Sequence, residues 1–140
     1  VFMLSGAAIS WASKRQVTIA LSSCEAEIMA ASEAAKEAVY LGVFLKELGI
    51  LPEDQPAHLA VDNTAARDLA YNPQHHDRTK HIARRHFFIR EMVESGRLVV
   101  PYVRTVDNLA DFFTKPLPAS VFFAMRDKIM NIKEDSPPSK

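Results

Sequence analysis

The chain has 140 residues, 48% of them apolar, with 17 basic and 17 acidic side chains. This is enough for one domain with its own core and is typical of a globular protein. No apolar run approaches the roughly 20 residues of a membrane helix, and a single cysteine, Cys24, excludes an intrachain disulfide and favours a reducing compartment.

A β-hairpin is predicted at the start of the chain. Two short apolar runs, residues 1–4 and 7–12, flank the turn residues Ser5 and Gly6. Since the chain does not begin with Met and its first residues already have a strand pattern, we expect it to be a piece of a longer protein.

The next predicted element is a long helix that begins at Ser22 or Ser23, either of which is a suitable N-cap. It runs to about Leu48 and stops at Gly49. Glu27 heads a predicted stripe of small and aliphatic residues on this helix, namely Ala31, Ala34, Ala38, Leu41, Leu45 and Leu48. A carboxylate on an apolar stripe is costly unless a cation meets it, so Glu27 is a candidate metal ligand; its alternative is a contact with the helix dipole.

The rest of the chain alternates strands and helices. We predict strands at 57–61 and 98–103, the second at a sheet edge because it contains Pro101. Helices are expected at 64–71, 81–95, from Asp107 or Asn108, and at 119–130, with a disordered tail at 133–140. The order β-β-α-β-α-α-β-α-α predicts an α/β fold in which helices pack on the faces of one mixed sheet.

Two further acids stand at the edges of predicted elements. Asp62 ends a strand, where open α/β sheets bind ligands, but it is also a possible N-cap of the following helix. Asp111 is a candidate as well, although it has an ordinary place as the third residue of a helix capped by Asn108. Oxygen ligands from separated positions are what Mg²⁺ requires, so Glu27, Asp62 and Asp111 together suggest a divalent-metal site.

Charge is uneven along the chain. Residues 67–97 contain seven Arg and Lys against four Asp and Glu, with four His besides. This basic segment is suited to phosphate contacts, and a solvated helix face is the alternative that charge alone leaves open.

Several motifs resemble, in order, the ribonuclease H region of copia-type retrotransposon polyproteins. They are Ser10-Trp11-Ala12-Ser13-Lys14-Arg15-Gln16, Leu21-Ser22-Ser23-Cys24-Glu25-Ala26-Glu27, Asp62-Asn63 with Ala65, Asn72-Pro73, His76-x-Arg78-Thr79-Lys80-His81-Ile82, His86-Phe87-x-Ile89-Arg90-Glu91 and Ala110-Asp111-Phe112-Phe113-Thr114-Lys115-Pro116-Leu117. The resemblance covers about residues 1–130.

The resemblance implies an RNase H-like fold, a five-stranded mixed sheet with flanking helices. It implies hydrolysis of RNA in an RNA–DNA hybrid by two Mg²⁺ ions, or Mn²⁺, held by four carboxylates, three of which match Glu27, Asp62 and Asp111. Hybrid contacts are implied for Ser22, Ser23, Cys24, Asn63, Arg78, Lys80, Arg84 and Arg85. It also implies an upstream reverse transcriptase domain in the same polyprotein, no membrane, and a place in the cytoplasmic particle of the element or in the nucleus.

The chain departs from the family pattern at its beginning. The family's first strand, which carries the fourth carboxylate, is expected just before Val1, so residues 1–132 would be an RNase H-like domain that lacks this strand and is inactive alone. Cys24 stands where the family has Thr, and Ile28 where it has Tyr. A non-catalytic nucleic-acid-binding or interaction remnant of such an element stays open as the alternative.

Overall fold

The computed structural model of the chain describes residues 1–16, 19–20, 22–71 and 80–132. Its elements are the strands β1 (Phe2–Leu4), β2 (Ala7–Ser10), β3 (Ala57–His58) and β4 (Leu98–Val99), and the helices α1 (Ser23–Glu47), α2 (Thr64–Tyr71), α3 (Lys80–Glu94), α4 (Asp111–Thr114) and α5 (Ala119–Ile129), with a 3₁₀ turn at Thr105–Asp107. The predicted element order and the mixed α/β class are confirmed. The predicted stop at Asn72-Pro73 and the predicted disordered tail lie outside the described residues.

Backbone conformation accounts for the hairpin. β1 and β2 pair antiparallel, and the turn between them has positive φ at both Ser5 (51°) and Gly6 (88°). Two such residues make the tight turn whose twist matches that of the flanking strands. The predicted hairpin is therefore confirmed, although its second strand ends at Ser10 rather than at Ala12.

The prediction of a single mixed sheet is wrong for the described part of the chain. Its strands form two separate two-stranded sheets, β1–β2 antiparallel and β3–β4 parallel. The parallel pair is extended by an isolated bridge between Val61 and Tyr102. The two sheets stay separate because none of the described strands forms hydrogen bonds with a strand of each sheet.

The chain divides into two compact units. The larger, which we call the helical unit, is Thr18–Val106; the smaller, which we call the hairpin unit, comprises Val1–Val17 and Asp107–Lys140. In the helical unit, α1 packs against α3, α2 and the β3–β4 pair, whereas in the hairpin unit α5 packs against β2 and α4. Most of the buried apolar side chains belong to the helical unit, among them Ile28, Ala35, Val61, Ile89 and Leu98.

The buried face of α1 differs from the predicted stripe. Ala31, Ala38 and Leu45 are buried as predicted, but Ala35 and Ser32 are the most deeply buried residues of the helix, and Leu48 is 56% exposed. The face is centred about one residue away from the prediction because α1 is covered by two helices and a strand pair rather than by a sheet alone. Ile28, which stands where the resembling family has Tyr, is buried.

Candidate metal centre and nucleic-acid interface

Glu27 lies near the beginning of α1. Ser22 is the N-cap of this helix, and its Oγ accepts a hydrogen bond from the Glu25 backbone N–H at 3.1 Å. Glu27 is half-buried. The cap determines where the helix begins and thereby places this carboxylate on its second turn.

Cys24 is electrostatically coupled to Glu27. Burial raises the pKa of the Cys24 thiol, and the Glu27 carboxylate raises that pKa further, since a nearby negative charge disfavours the thiolate. The chemistry favours a protonated, weakly nucleophilic thiol at neutral pH.

Asp62 follows the bridged end of the parallel strand pair. The Val61 N–H donates to the Pro101 carbonyl at 3.0 Å, and the Val103 N–H donates to the Val61 carbonyl at 2.9 Å. These bonds hold the backbone immediately before Asp62 at the carboxyl end of β3, the edge at which parallel sheets bind ligands.

The N-cap alternative for Asp62 is wrong, because the neighbouring Asn63 has that role. The Asn63 Oδ1 accepts a hydrogen bond from the Ala66 N–H at 3.1 Å, and its carbonyl accepts from the Arg67 N–H. Over the described ranges, the half-buried Asp62 carboxylate has no hydrogen-bond or ion-pair partner. Its oxygens are thus available to a cation, and the Asn63 amide nitrogen is not used by the cap.

Asp111 is the first residue of the short helix α4 and is 8% exposed. Its Oδ2 accepts from the Lys115 Nζ at 2.9 Å, one helical turn further along. The prediction that Asn108 caps this helix is wrong: α4 begins only at Asp111, its N-cap is Ala110, and the Asn108 Oδ1 accepts a hydrogen bond from the Ala110 N–H instead. Lys115 was not predicted as a site residue, although the i, i+4 spacing of an acid and a lysine is a recognisable signal.

The predicted nucleic-acid contacts are partly described. Ser22 and Ser23 are exposed, Cys24 and Arg85 are half-buried, and Lys80 and Arg84 lie on α3. Arg78 lies outside the described residues. The Ser22 hydroxyl oxygen already accepts the cap hydrogen bond, so its O–H donor and one further acceptor site remain for a nucleic acid.

The three acids do not all belong to one unit. Glu27 and Asp62 are in the helical unit and Asp111 is in the hairpin unit. Among the described residues of either unit, no group of three His, Cys, Asp or Glu side chains is arranged to hold a metal ion. The three side chains offer carboxylate oxygens, which are the type of ligand that Mg²⁺ prefers. Within the described ranges the Asp62 carboxylate has no partner, whereas the Asp111 carboxylate is paired with Lys115. The convergence of all three on one ion stays a prediction.

Comparison with known proteins identifies relatives over most of the chain. The retrovirus-related Pol polyprotein from transposon TNT 1-94 of Nicotiana tabacum is 44% identical over 122 residues, which is 87% of this chain and 9% of that polyprotein. The one from transposon RE2 of Arabidopsis thaliana is 43% identical over 131 residues, covering 94% of this chain and 9% of the relative. The transposon Ty1-NL2 Gag-Pol polyprotein of Saccharomyces cerevisiae is 29% identical over 135 residues, which cover 91% of this chain and 7% of that polyprotein.

Other comparisons give no match. No protein-family model matches the chain, and no solved structure matches it. None of the helices in the described ranges has the length and apolarity needed to cross a bilayer.

The chain spans about a tenth of the length of the curated relatives it matches, 9% in the two plant examples above. Most of this chain is therefore homologous to a short segment of the retrovirus-related Pol polyproteins of plant copia-type transposons.

Proposed function

We propose that the chain is the ribonuclease H portion of a copia-type retrotransposon polyprotein. In this proposal Glu27, Asp62 and Asp111 bind Mg²⁺ or Mn²⁺ and take part in hydrolysis of the RNA strand of an RNA–DNA hybrid. The observation that carries the proposal is the position of Asp62, a half-buried carboxylate at the carboxyl end of a parallel strand pair. Asn63 caps the following helix in its place, and within the described ranges the Asp62 carboxylate has no partner.

Each residue has a defined part in this chemistry. When bound, the ions would activate water and stabilise the leaving oxygen of the scissile phosphate. Asp62 and Glu27 hold negative charge at the ends of β3 and the beginning of α1, while Lys115 offsets the charge of the buried Asp111. Ser22, Ser23 and Cys24 would face the RNA hydroxyls, and Asn63, Arg78, Lys80, Arg84 and Arg85 would contact the hybrid and its phosphates.

The proposed partners are those of a polyprotein domain. The RNA–DNA hybrid is the substrate, and a reverse transcriptase domain upstream in the same polyprotein would supply it. The particle of the element in the cytoplasm is the proposed location, with the nucleus as the alternative.

Hydrolysis of a labelled RNA–DNA hybrid tests the proposal. The chain is assayed with Mg²⁺ and with Mn²⁺, alone and together with any residues that precede Val1 in its gene, because the family resemblance implies a fourth carboxylate. We expect the longer protein to cleave and Asp62→Asn to lose about 100-fold or more of that rate, in line with loss of a preorganised electrostatic contact.

The matched control is Asp68→Asn, which removes an exposed carboxylate of α2 that pairs with Arg67. It should cleave like the unaltered protein. Failure of both proteins to cleave, or cleavage that Asp62→Asn leaves unchanged, would contradict the proposal. Hybrid binding without cleavage would instead support the non-catalytic alternative.

A further inference from the structure

Trp11 is the single tryptophan of the chain and directly follows β2. It is 61% exposed, which is unusual for a residue with so much apolar surface. Its indole lies nearly parallel to the Phe113 ring, with 6.4 Å between the centroids and 14° between the planes. One side of the indole is thus supported while much of its surface stays open to solvent.

The support behind Trp11 continues into the hairpin unit. Phe113 meets Phe112 edge to face at 5.2 Å, and Phe112 stacks on Phe122 of α5 at 4.8 Å. A ring held by a chain of aromatic contacts loses little conformational freedom when a ligand binds. Trp11 therefore has the properties of a preorganised stacking surface.

Two cations follow Trp11 closely. Lys14 and Arg15 are exposed, and over the described ranges neither takes part in a hydrogen bond or ion pair of its side chain. Three or four residues of extended chain span at most about 14 Å, so both charges stay near whatever contacts the indole.

The electrostatic surroundings favour an anionic ligand. Residues 1–16 contain no Asp or Glu. In the described part of the same unit, Asp111 and Asp127 are each neutralised by an ion pair, with Lys115 and Arg126 respectively, and the remaining acid, Asp107, also takes part in an interaction. An apolar protein partner that covered this surface would desolvate Lys14 and Arg15 without compensation, which is costly. A ligand with a flat ring and flanking negative charge satisfies both features.

We propose that Trp11, Lys14 and Arg15 form a binding site for single-stranded nucleic acid. An unpaired base stacks on the open side of the indole, and the two cations contact the neighbouring phosphates. Because a paired base does not expose its face, the site favours single strands over duplexes. It requires neither the three acids nor a metal ion, so it goes beyond hybrid hydrolysis and does not depend on it.

Trp11 fluorescence tests the proposal on the unaltered protein. A short oligothymidylate is titrated in EDTA, so that metal-dependent hydrolysis plays no part. We expect saturable quenching by the oligonucleotide and little change with a blunt DNA duplex or with inorganic polyphosphate, which has charge but no bases. Equal quenching by polyphosphate, or a titration with no quenching, would overturn the proposal.

Substitutions separate stacking from charge. With a labelled oligothymidylate read by anisotropy, Trp11→Leu should weaken binding about ten-fold or more, whereas Trp11→Phe should retain most of the affinity. Lys14→Gln with Arg15→Gln should weaken binding and reduce the slope of log affinity against log salt by about 1.4. The matched pair Lys36→Gln with Arg97→Gln removes two exposed positive charges from the helical unit and should change neither quantity.

Two other outcomes would count against the site. Quenching that grows with protein concentration alone would indicate that a second copy covers Trp11. A blue shift with vesicles of phosphatidylcholine and phosphatidylserine, together with no response to oligothymidylate, would indicate a lipid surface. Failure of both the chain and its upstream-extended form to cleave a hybrid, with oligothymidylate binding retained, would overturn the proposed function alone and leave this proposal standing.

Discussion

At the residue scale, the neighbouring side chains Asp62 and Asn63 have different roles. Asn63 caps α2 through its Oδ1, whereas Asp62 has no partner in the described part of the chain. Either residue is an acceptable N-cap, so sequence alone cannot choose between them. The choice follows from the backbone bonds of Val61, which determine where the strand ends and the helix can begin.

Asn63→Ala should therefore lower the free energy of unfolding by about 1 kcal/mol, because it removes the cap acceptor. Asp62→Asn should cost about 0.5 kcal/mol, since it loses only a weak interaction with the helix dipole. Urea denaturation of the two variants measures both values. A larger loss from Asp62→Asn than from Asn63→Ala would contradict this assignment of roles.

The coupling of Cys24 and Glu27 predicts a pH dependence. The thiol pKa is raised in the folded state by burial first and by Glu27 second. As pH rises above the pKa of the unfolded thiol, the unfolded state loses its proton first, so stability falls until pH passes the folded pKa. The stability contributed by the protonated thiol is therefore fully present below the pKa of the unfolded thiol, and it is lost as pH rises through the alkaline range up to the folded pKa.

Alkylation of Cys24 by iodoacetamide follows the thiolate directly. Glu27→Gln should lower the midpoint pH of the alkylation rate, because the carboxylate no longer raises the thiol pKa. The midpoint should stay above that of a free thiol, because burial still raises the pKa. Glu37→Gln, on an exposed part of the same helix, is the control. An unchanged midpoint in Glu27→Gln would show that the carboxylate does not act on the thiol.

At the element scale, α1 shows how packing decides which face of a helix is buried. Local signals located both of its ends, at the Ser22 cap and at Gly49, where φ is 69°. They did not locate the centre of its buried face, since Ala35 and Ser32 are covered by other parts of the helical unit. An alanine-rich helix offers little difference in hydrophobicity between its faces, so the periodicity of its sequence leaves the orientation open.

Ala35→Leu should destabilise the chain by about 1–3 kcal/mol, because Ala35 is fully buried and the added atoms must displace neighbours. Ala30→Leu is the matched control on the same helix, where the side chain is exposed. Thermal unfolding followed by circular dichroism measures the difference. Equal stability of the two variants would show that the observed buried face is incorrect.

At the scale of the whole molecule, the proposed metal ligands are separated by long stretches of chain. Glu27 lies on α1, Asp62 precedes α2 and Asp111 begins α4. A ligand that binds only the folded state raises the free energy of unfolding, by about 2.7 kcal/mol at 100 times its dissociation constant.

Mn²⁺ should therefore raise the midpoint of thermal unfolding, and Asp111→Asn should abolish most of that rise. Asp127→Asn serves as the control, because it alters a carboxylate of the same unit that is paired with Arg126. The shift between EDTA and Mn²⁺ is compared within each variant, which removes differences in intrinsic stability. An equal metal-dependent shift in Asp111→Asn and in the unaltered protein would contradict a ligand role for Asp111.

Much of this protein could be inferred from neighbouring residues along the chain. The tight turn at Ser5-Gly6, the cap at Ser22 and the element order follow from backbone conformation and capping, which act over a few residues. The homology to Pol polyproteins likewise follows from motifs in order. The pairing of strands into two sheets, the buried face of α1, the lack of a partner for Asp62 within the described ranges, and the aromatic support of Trp11 required the folded chain. Those features depend on contacts between residues distant in sequence, and neither periodicity nor capping carries that information.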